Sequence, residues 1–277
     1  MEASQRAVVE LVKSRKNKPI LRQELEERVW KELSVYGGFC EAVRLFTQHD
    51  AASTSPTGEL ILDLVRYSGG ADKTYPDSGE WARDVVSKLA DTKDWILTHN
   101  RPRRIRVSGS RRLSASVAIG AAFPAVSGFH VDIDYRGETW STDSHPTNDT
   151  APYSWRETQP SDEVHDLVIA MSVIREIETD VAEFARNQSI GGGTALSLHG
   201  EKPLVSAAQV NLAVRDAKNA IDAALAATKA TKLHLFMTGP APLALFLGHR
   251  LNATAPLVCY ELTGDGSYQS TCVLDFR

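Results

Sequence analysis

Residues 104–141 read RIRVSGSRRLSASVAIGAAFPAVSGFHVDIDYRGETWS, and residues 232–270 read KLHLFMTGPAPLALFLGHRLNATAPLVCYELTGDGSYQS. Both follow one grammar. A strand ends in a Ser-Gly or Thr-Gly turn, at Gly109 and Gly239, where a strand-to-helix crossover needs a sharp bend. A short helix rich in small and apolar residues follows, then a second glycine (Gly120, Gly248), then a strand and a hairpin. Two copies of one strand–helix–strand unit predict an α/β chain built from two fused Rossmann-like halves in a pseudo-symmetric arrangement. Chance similarity between two such units is the alternative. In open α/β sheets a ligand lies beyond the carboxyl ends of the strands. That rule places Ser108, Gly109, Ser110, Arg111, Arg112 and Leu113 at one half-site and Thr238, Gly239 and Pro240 at the other. Ser172 ends a buried strand, LVIAMSV at 167–173, and joins the second set.

Outward from these units, ILRQELEERVWKELSV (20–35) repeats Leu21, Leu25, Val29 and Leu33 at i+4 and predicts a helix after Pro19. AASTSPTG (51–58) is a loop by composition, and ELILDLVRY (59–67) a short strand. EWARDVVSKLADTKDWIL (80–97) is a helix with Trp81, Val85 and Leu89 on one face. The polar segment 142–162 is a boundary or a binding loop. IREIETDVAEFARNQ is a helix, and GGGTALSLHG is flexible at its start. Residues 206–230 form the most regular helix, opened by a Ser206-x-x-Gln209 capping-box spacing. The domain reading is an N-terminal helical segment at 1–55, a first half at 56–160 and a second half at 161–277.

The chain has 277 residues, 42% apolar and 24% charged, with 31 Lys+Arg against 35 Asp+Glu. This excludes wholesale disorder and a global polycation that coats nucleic acid. Its start lacks the apolar core of a signal peptide, and no run approaches a membrane span, so a soluble cytoplasmic protein is expected. Cys40, Cys259 and Cys272 form no C-x-x-C pair. The last two lie equidistant from the GDGS hairpin centre, where they can face each other and stay reduced. P-loop, G-x-G-x-x-G and G-x-S-x-G motifs are missing, and His130, His145, His165 and His199 lack metal-site spacing. No cofactor and no metal are expected. Asp132 and Asp134 share one face of a strand, either as solvated carboxylates or as a metal pair.

VSGSRRLSASVAIGAAF, YRGETW, HLFMTGPAPLALFLGHRL and LVCYEL together resemble the SAVED domain, over about residues 99–277. The resemblance implies two CARF-like units that bind a cyclic oligonucleotide second messenger in bacterial antiphage signalling (CBASS), self-associate on binding, and switch on an effector. SAVED domains usually sit behind that effector. Only about 50–100 residues precede the recognisable part here, so the expectation is a sensor with a separate effector or a piece of a longer protein.

Such a ligand carries phosphodiester charges and flat bases, which call for cations and for aromatic or apolar faces. RPRRIRVSGSRR supplies Arg101, Arg103, Arg104, Arg106, Arg111 and Arg112. The first three read as a solvated face. Arg111 and Arg112 fall in the turn, beside a helix N-terminus that is itself an anion site. Trp140, Tyr153 and Trp155 bracket the polar loop, as base-stacking platforms or as core lids. Pro240 removes an N–H, so the half-sites should not bind identically. A Rossmann-like nucleotide hydrolase or ring nuclease, built on the histidines and the Asp132/Asp134 pair, is the alternative function.

Overall fold

The computed structural model describes residues 42–47, 60–99, 101–160, 163–191, 195–252 and 254–276. The expected helix at 20–35, the loop at 51–58, Cys40 and most of the GGGT tract lie outside these residues. By internal packing, residues 44–277 form one compact unit, separate from residues 1–43.

Strands β1 (Val43–Phe46) and β2 (Leu60–Ile61) precede a 3₁₀ turn (Arg66–Ser68). Helix α1 (Ser78–Trp81) continues through a π-helical stretch (Ala82–Val86) into α2 (Ser87–Thr98). Asp77 opens it with a full capping box: its carboxylate accepts from Glu80 N at 2.9 Å, and Glu80 reaches back to Asp77 N. Trp81, Val85 and Leu89 are buried on one face, as their spacing predicts. The first repeat unit then gives β3 (Arg104–Ser108), α3 (Leu113–Ala122), β4 (His130–Tyr135) and β5 (Glu138–Ser141). The β4–β5 turn places Arg136 and Gly137 at φ 52° and 82°, both left-handed, as a two-residue hairpin requires. The second half runs β6 (Arg156–Thr158), β7 (Asp166–Val173), α4 (Glu178–Asn187), β8 (Ala195–Gly200), α5 (Ala207–Thr228), β9 (Lys232–Thr238), α6 (Ala241–Arg250), β10 (Leu257–Leu262) and β11 (Tyr268–Leu274).

The strands form two sheets, β2-β1-β3-β4-β5 and β11-β10-β9-β7-β8-β6. Parallel pairing makes the centre of the second sheet, and antiparallel β6 and β11 close its edges. This is the mixed α/β architecture of two fused units read from the repeat. Strand β1 lies ahead of residue 56 and belongs to the first sheet; β6 lies ahead of residue 161 and extends the second. The run 59–67 yields only the two-residue β2 and part of a 3₁₀ turn, and GGGTALSLHG contains strand β8, which its glycines had hidden. Ser206 caps α5 by accepting from Gln209 N, but the Gln209 side chain returns to Val205 N rather than to the cap itself.

Helices α3 and α6 are buried on every side: Ser114–Gly120 in one and Pro242–His249 in the other. Helices apolar all round belong in a core, and these two pack on each other. Their repeat glycines meet. A Cβ on Gly120 would lie 2.0 Å from Leu245 O, and one on Gly248 2.1 Å from Val117 O. Each helix also crosses to the other half, α3 to β10 and β11, α6 to β4. His249 Nδ1 donates to Phe123 O at 2.5 Å across this junction. Burial pushes the His249 pKa down to about 4, which keeps the ring neutral.

Candidate functional site

Both repeat turns stand at carboxyl ends of strands. In the first, Gly109 adopts φ 85°, a left-handed conformation suited to glycine. Thr47, fully buried at the end of β1, pins the turn: its N and Oγ1 both donate to Ser108 O, at 3.1 and 2.8 Å. Counted from Gly109, α3 starts four residues on at Leu113; counted from Gly239, α6 starts two residues on at Ala241. The first turn is therefore longer by two residues, and Arg112 and Pro240 become equivalent N-caps. The extra length holds Ser110 and Arg111.

Ser110, Arg111 and Arg112 line a cavity of about 400 Å³ with Leu64, Val65, Ser68 and Gly70. Arg111 donates from Nη1 to Gly109 O at 2.6 Å, while its Nε is buried without a hydrogen-bond partner. Burial pushes its pKa down to about 10, with Asp134 pulling weakly the other way. It is a half-buried cation that forms no ion pair among the described residues. Arg112 is engaged instead. Its Nε donates to Ser68 O at 2.5 Å, and its guanidinium lies 5.5 Å from the centre of the Tyr75 ring. Tyr75 in turn donates to Leu262 O at 3.2 Å, and Gln269 Nε2 donates to Tyr75 O and Pro76 O. Arg112 thus holds the 66–76 segment against α3, and Tyr75 and Gln269 tie that segment to the second half.

Neither helix N-terminus is an open anion site, which corrects the sequence expectation. The buried Glu261 carboxylate of β10 accepts from Ser114 N at 2.8 Å, with Leu113 N adding to the hold. Burial raises the Glu261 pKa, and these hydrogen bonds oppose the rise. At α6, Pro240 and Pro242 have no N–H and Leu243 N donates to Pro240 O, so Ala241 is the one donor left in the first turn. The two turns differ as Pro240 implied.

In the second half, strand register sets Ser172 beside both Thr238 and His199. Ser172 is buried, with Oγ 2.8 Å from His199 Nδ1, and His199 Nε2 lies 3.9 Å from Glu176. Thr238, Gly239 and Pro240 are half-buried at the carboxyl end of the central strand β9.

The aromatic expectations change. Trp140 is buried, edge-on to Tyr135 at 5.1 Å, with Nε1 donating to Glu138. Trp155 donates to Ala213 O at 2.9 Å, and Tyr153 is buried with its hydroxyl on Lys202 O. These rings pin the polar loop to α5 and β8. Asn211 and Gln209 of α5 add bonds to Ser141 O, Ser144 O and Ala151 O. Asp132 is buried, Asp134 is half-exposed, and both are ion-paired. Arg104 grips Asp132 at 2.7 Å and Asp143 at 3.2 Å, and Arg106 grips Asp134 at 2.9 Å, a ladder across β3 and β4. Arg104 is thus an ion-paired residue and not part of a solvated face. Among the described residues no cluster of metal-binding side chains occurs. Cys259 and Cys272 are buried free thiols on facing strands, and their mutual contact and burial raise the Cys259 pKa. Sequence reasoning missed Thr47 and the 64–70 wall; the Gly69-Gly70 pair, both at positive φ, was the one available signal.

Two Rossmann-like units fused in one chain, with Arg111 lining a cavity at the carboxyl end of β3, define a two-unit α/β protein with a candidate anion site. The particular family follows from comparison. The family described as SAVED, the SMODS-associated and fused to various effectors sensor domain, matches residues 89–274, and the chain belongs to it. The CD-NTase-associated protein 4 of an Acinetobacter species is 27% identical over 225 residues, covering 81% of this chain and 48% of that protein. The Moraxella osloensis protein of the same name is 27% identical over 232 residues, covering 81% and 47%. The chain thus spans about half the length of the curated relatives it matches. In fold it is similar to the Acinetobacter baumannii Cap4 SAVED/CARF-domain containing receptor solved with the cyclic trinucleotide 2'3'3'-cAAA. There the TM-score is 0.78 at 24% identity, over 99% of this chain and 61% of that one. The Moraxella osloensis Cap4 receptor gives 0.70 at 23%, over 95% and 57%. Among the described residues no helix is long and apolar enough to cross a membrane.

Proposed function

We propose that this chain is a non-enzymatic receptor for a cyclic oligonucleotide second messenger, a cyclic trinucleotide. We also propose that binding drives self-association, which activates a separate or fused effector in antiphage defence. Arg111 is the observation on which the reading rests. A half-buried guanidinium with no carboxylate partner among the described residues is suited to a phosphodiester, which would pair with it. The ligand named for the Acinetobacter baumannii relative, a cyclic trinucleotide, carries such groups. The Arg104 and Arg106 ion pairs occupy the carboxylates on which a metal-dependent hydrolase would draw.

The test is incubation with cyclic di-, tri- and tetranucleotides, read by melting shift and by chromatography of the recovered ligand. A trinucleotide that raises the midpoint and is recovered intact supports the receptor; linear products would establish hydrolysis instead. Arg111→Ala should weaken binding roughly 10- to 100-fold, the worth of a hydrogen bond to a charged group at about 1.5–3 kcal/mol. Sedimentation velocity with saturating ligand tests assembly, and an unchanged coefficient would refute that step alone.

A further inference from the structure

A second cavity, of about 250 Å³, lies between α5, the end of α6 and the His145–Pro146 loop. Its lining includes Arg215, Lys218 and Arg250 with His145, Asn211 and Asn219, and no carboxylate. Arg215 and Lys218 each hold a neighbouring acid, Asp216 at 2.9 Å and Asp222 at 2.6 Å. Arg250 forms no ion pair among the described residues. Asn211 is buried, and its amide orientation is fixed because Nδ2 donates to three carbonyls, those of Ser141, Ser144 and Ala207. Its Oδ1 is therefore an acceptor, and it has no donor. Three cationic side chains converging on a cavity with no acid in its lining match an anion.

This cavity is separate from the Arg111 site. Helix α6 starts at the carboxyl end of β9 and carries Arg250 as its last residue. The two cavities share no lining residue. A helix C-terminus favours a cation, which accounts for one arginine at this end but not for Arg215, Lys218 and His145 converging on it from another helix and a loop.

We propose that this cavity is a second binding site, for a small phosphomonoester: Arg250, Arg215 and Lys218 hold the dianion. Inorganic phosphate and a nucleoside 5'-monophosphate share this chemistry. The test is an NMR titration of the protein with AMP, with inorganic phosphate, and with adenosine as the uncharged control. The expected result is saturable binding of AMP, of phosphate or of both. The Asn211 side-chain amide should shift, and the Arg111 guanidinium signal should stay in place. Saturation by AMP alone assigns a nucleotide, and equal saturation by phosphate assigns the free ion. Arg250→Ala and Arg215→Ala should each weaken binding by about tenfold while cyclic trinucleotide affinity is retained. Absence of saturable shifts at Asn211, equal binding of adenosine, or undiminished affinity in both variants would overturn the proposal, and none of these outcomes bears on the Arg111 site.

Discussion

Replacing Gly120 by alanine tests the junction on which both half-sites are mounted. The new methyl carbon would lie 2.0 Å from Leu245 O and 2.6 Å from His249 N, where ordinary contact starts at 3.4 Å. Both neighbours are helix backbone, so no side chain can swing aside. The helices must part by roughly 1.4 Å, the difference between 3.4 and 2.0 Å. Overpacking of a core costs about 1–3 kcal/mol, and this case sits at the upper end. Alanine regains about 1 kcal/mol over glycine within a helix. The net loss is about 2 kcal/mol, which for a domain of this size lowers the melting midpoint by about 4–8 °C. Denaturant unfolding should show a lower midpoint with an unchanged slope. Gly248→Ala should behave alike, and the double variant should lose less than the sum, because the first methyl already separates the helices. Cyclic trinucleotide affinity should fall in both. A midpoint equal to or above wild type in both single variants would refute the reasoning, since helix propensity alone predicts that sign.

Other outcomes follow from the site. Arg112→Ala should lower stability by about 1–2 kcal/mol through loss of the Ser68 bond and the Tyr75 contact, whereas Arg111→Ala should melt at or above wild type; equal effects on stability would contradict the division of roles. The His249 pKa is depressed from 6.5 to about 4, so the unfolded chain binds the extra proton between those values. Its contribution, about 3 kcal/mol, is present above pH 6.5 and is lost as pH falls toward 4. In His249→Gln that loss should vanish, as unfolding at pH 7 and pH 4.5 would show; an identical pH dependence would count against it. Trp155→Phe should cost about 0.5–1.5 kcal/mol for the lost Ala213 bond, read from the denaturant midpoint, and no change would place that bond outside the stabilising set.

The repeat was legible because its signals are local: Gly109 and Gly239 mark the bends, and the small residues of α3 and α6 mark buried helices. The first repeat turn was legible as a turn, and its Ser110, Arg111 and Arg112 line one cavity. The separate fates of the two arginines were not. They depend on Ser68, Tyr75 and Asp134, which lie tens of residues away in sequence and come near only in the folded chain. Glu261 gave no sign either, because a carboxylate in LVCYEL reads as an exposed position until α3 from the other half is seen to end on it. Trp140 and Trp155 flank a polar loop, which suggested stacking; their indole nitrogens have partners inside the protein.

The crossing of α3 and α6 bears on how the chain reaches its native state. Severed between the halves, the first fragment would leave the Gly120 groove empty and the Ser114 N–H without Glu261, and the second would expose the buried faces of α6 and His249. Neither fragment holds a finished core. Two such pieces, co-expressed, should therefore fold only upon finding each other, as complementing fragments rather than as autonomous modules, so that a topology duplicated in the sequence melts in a single cooperative transition.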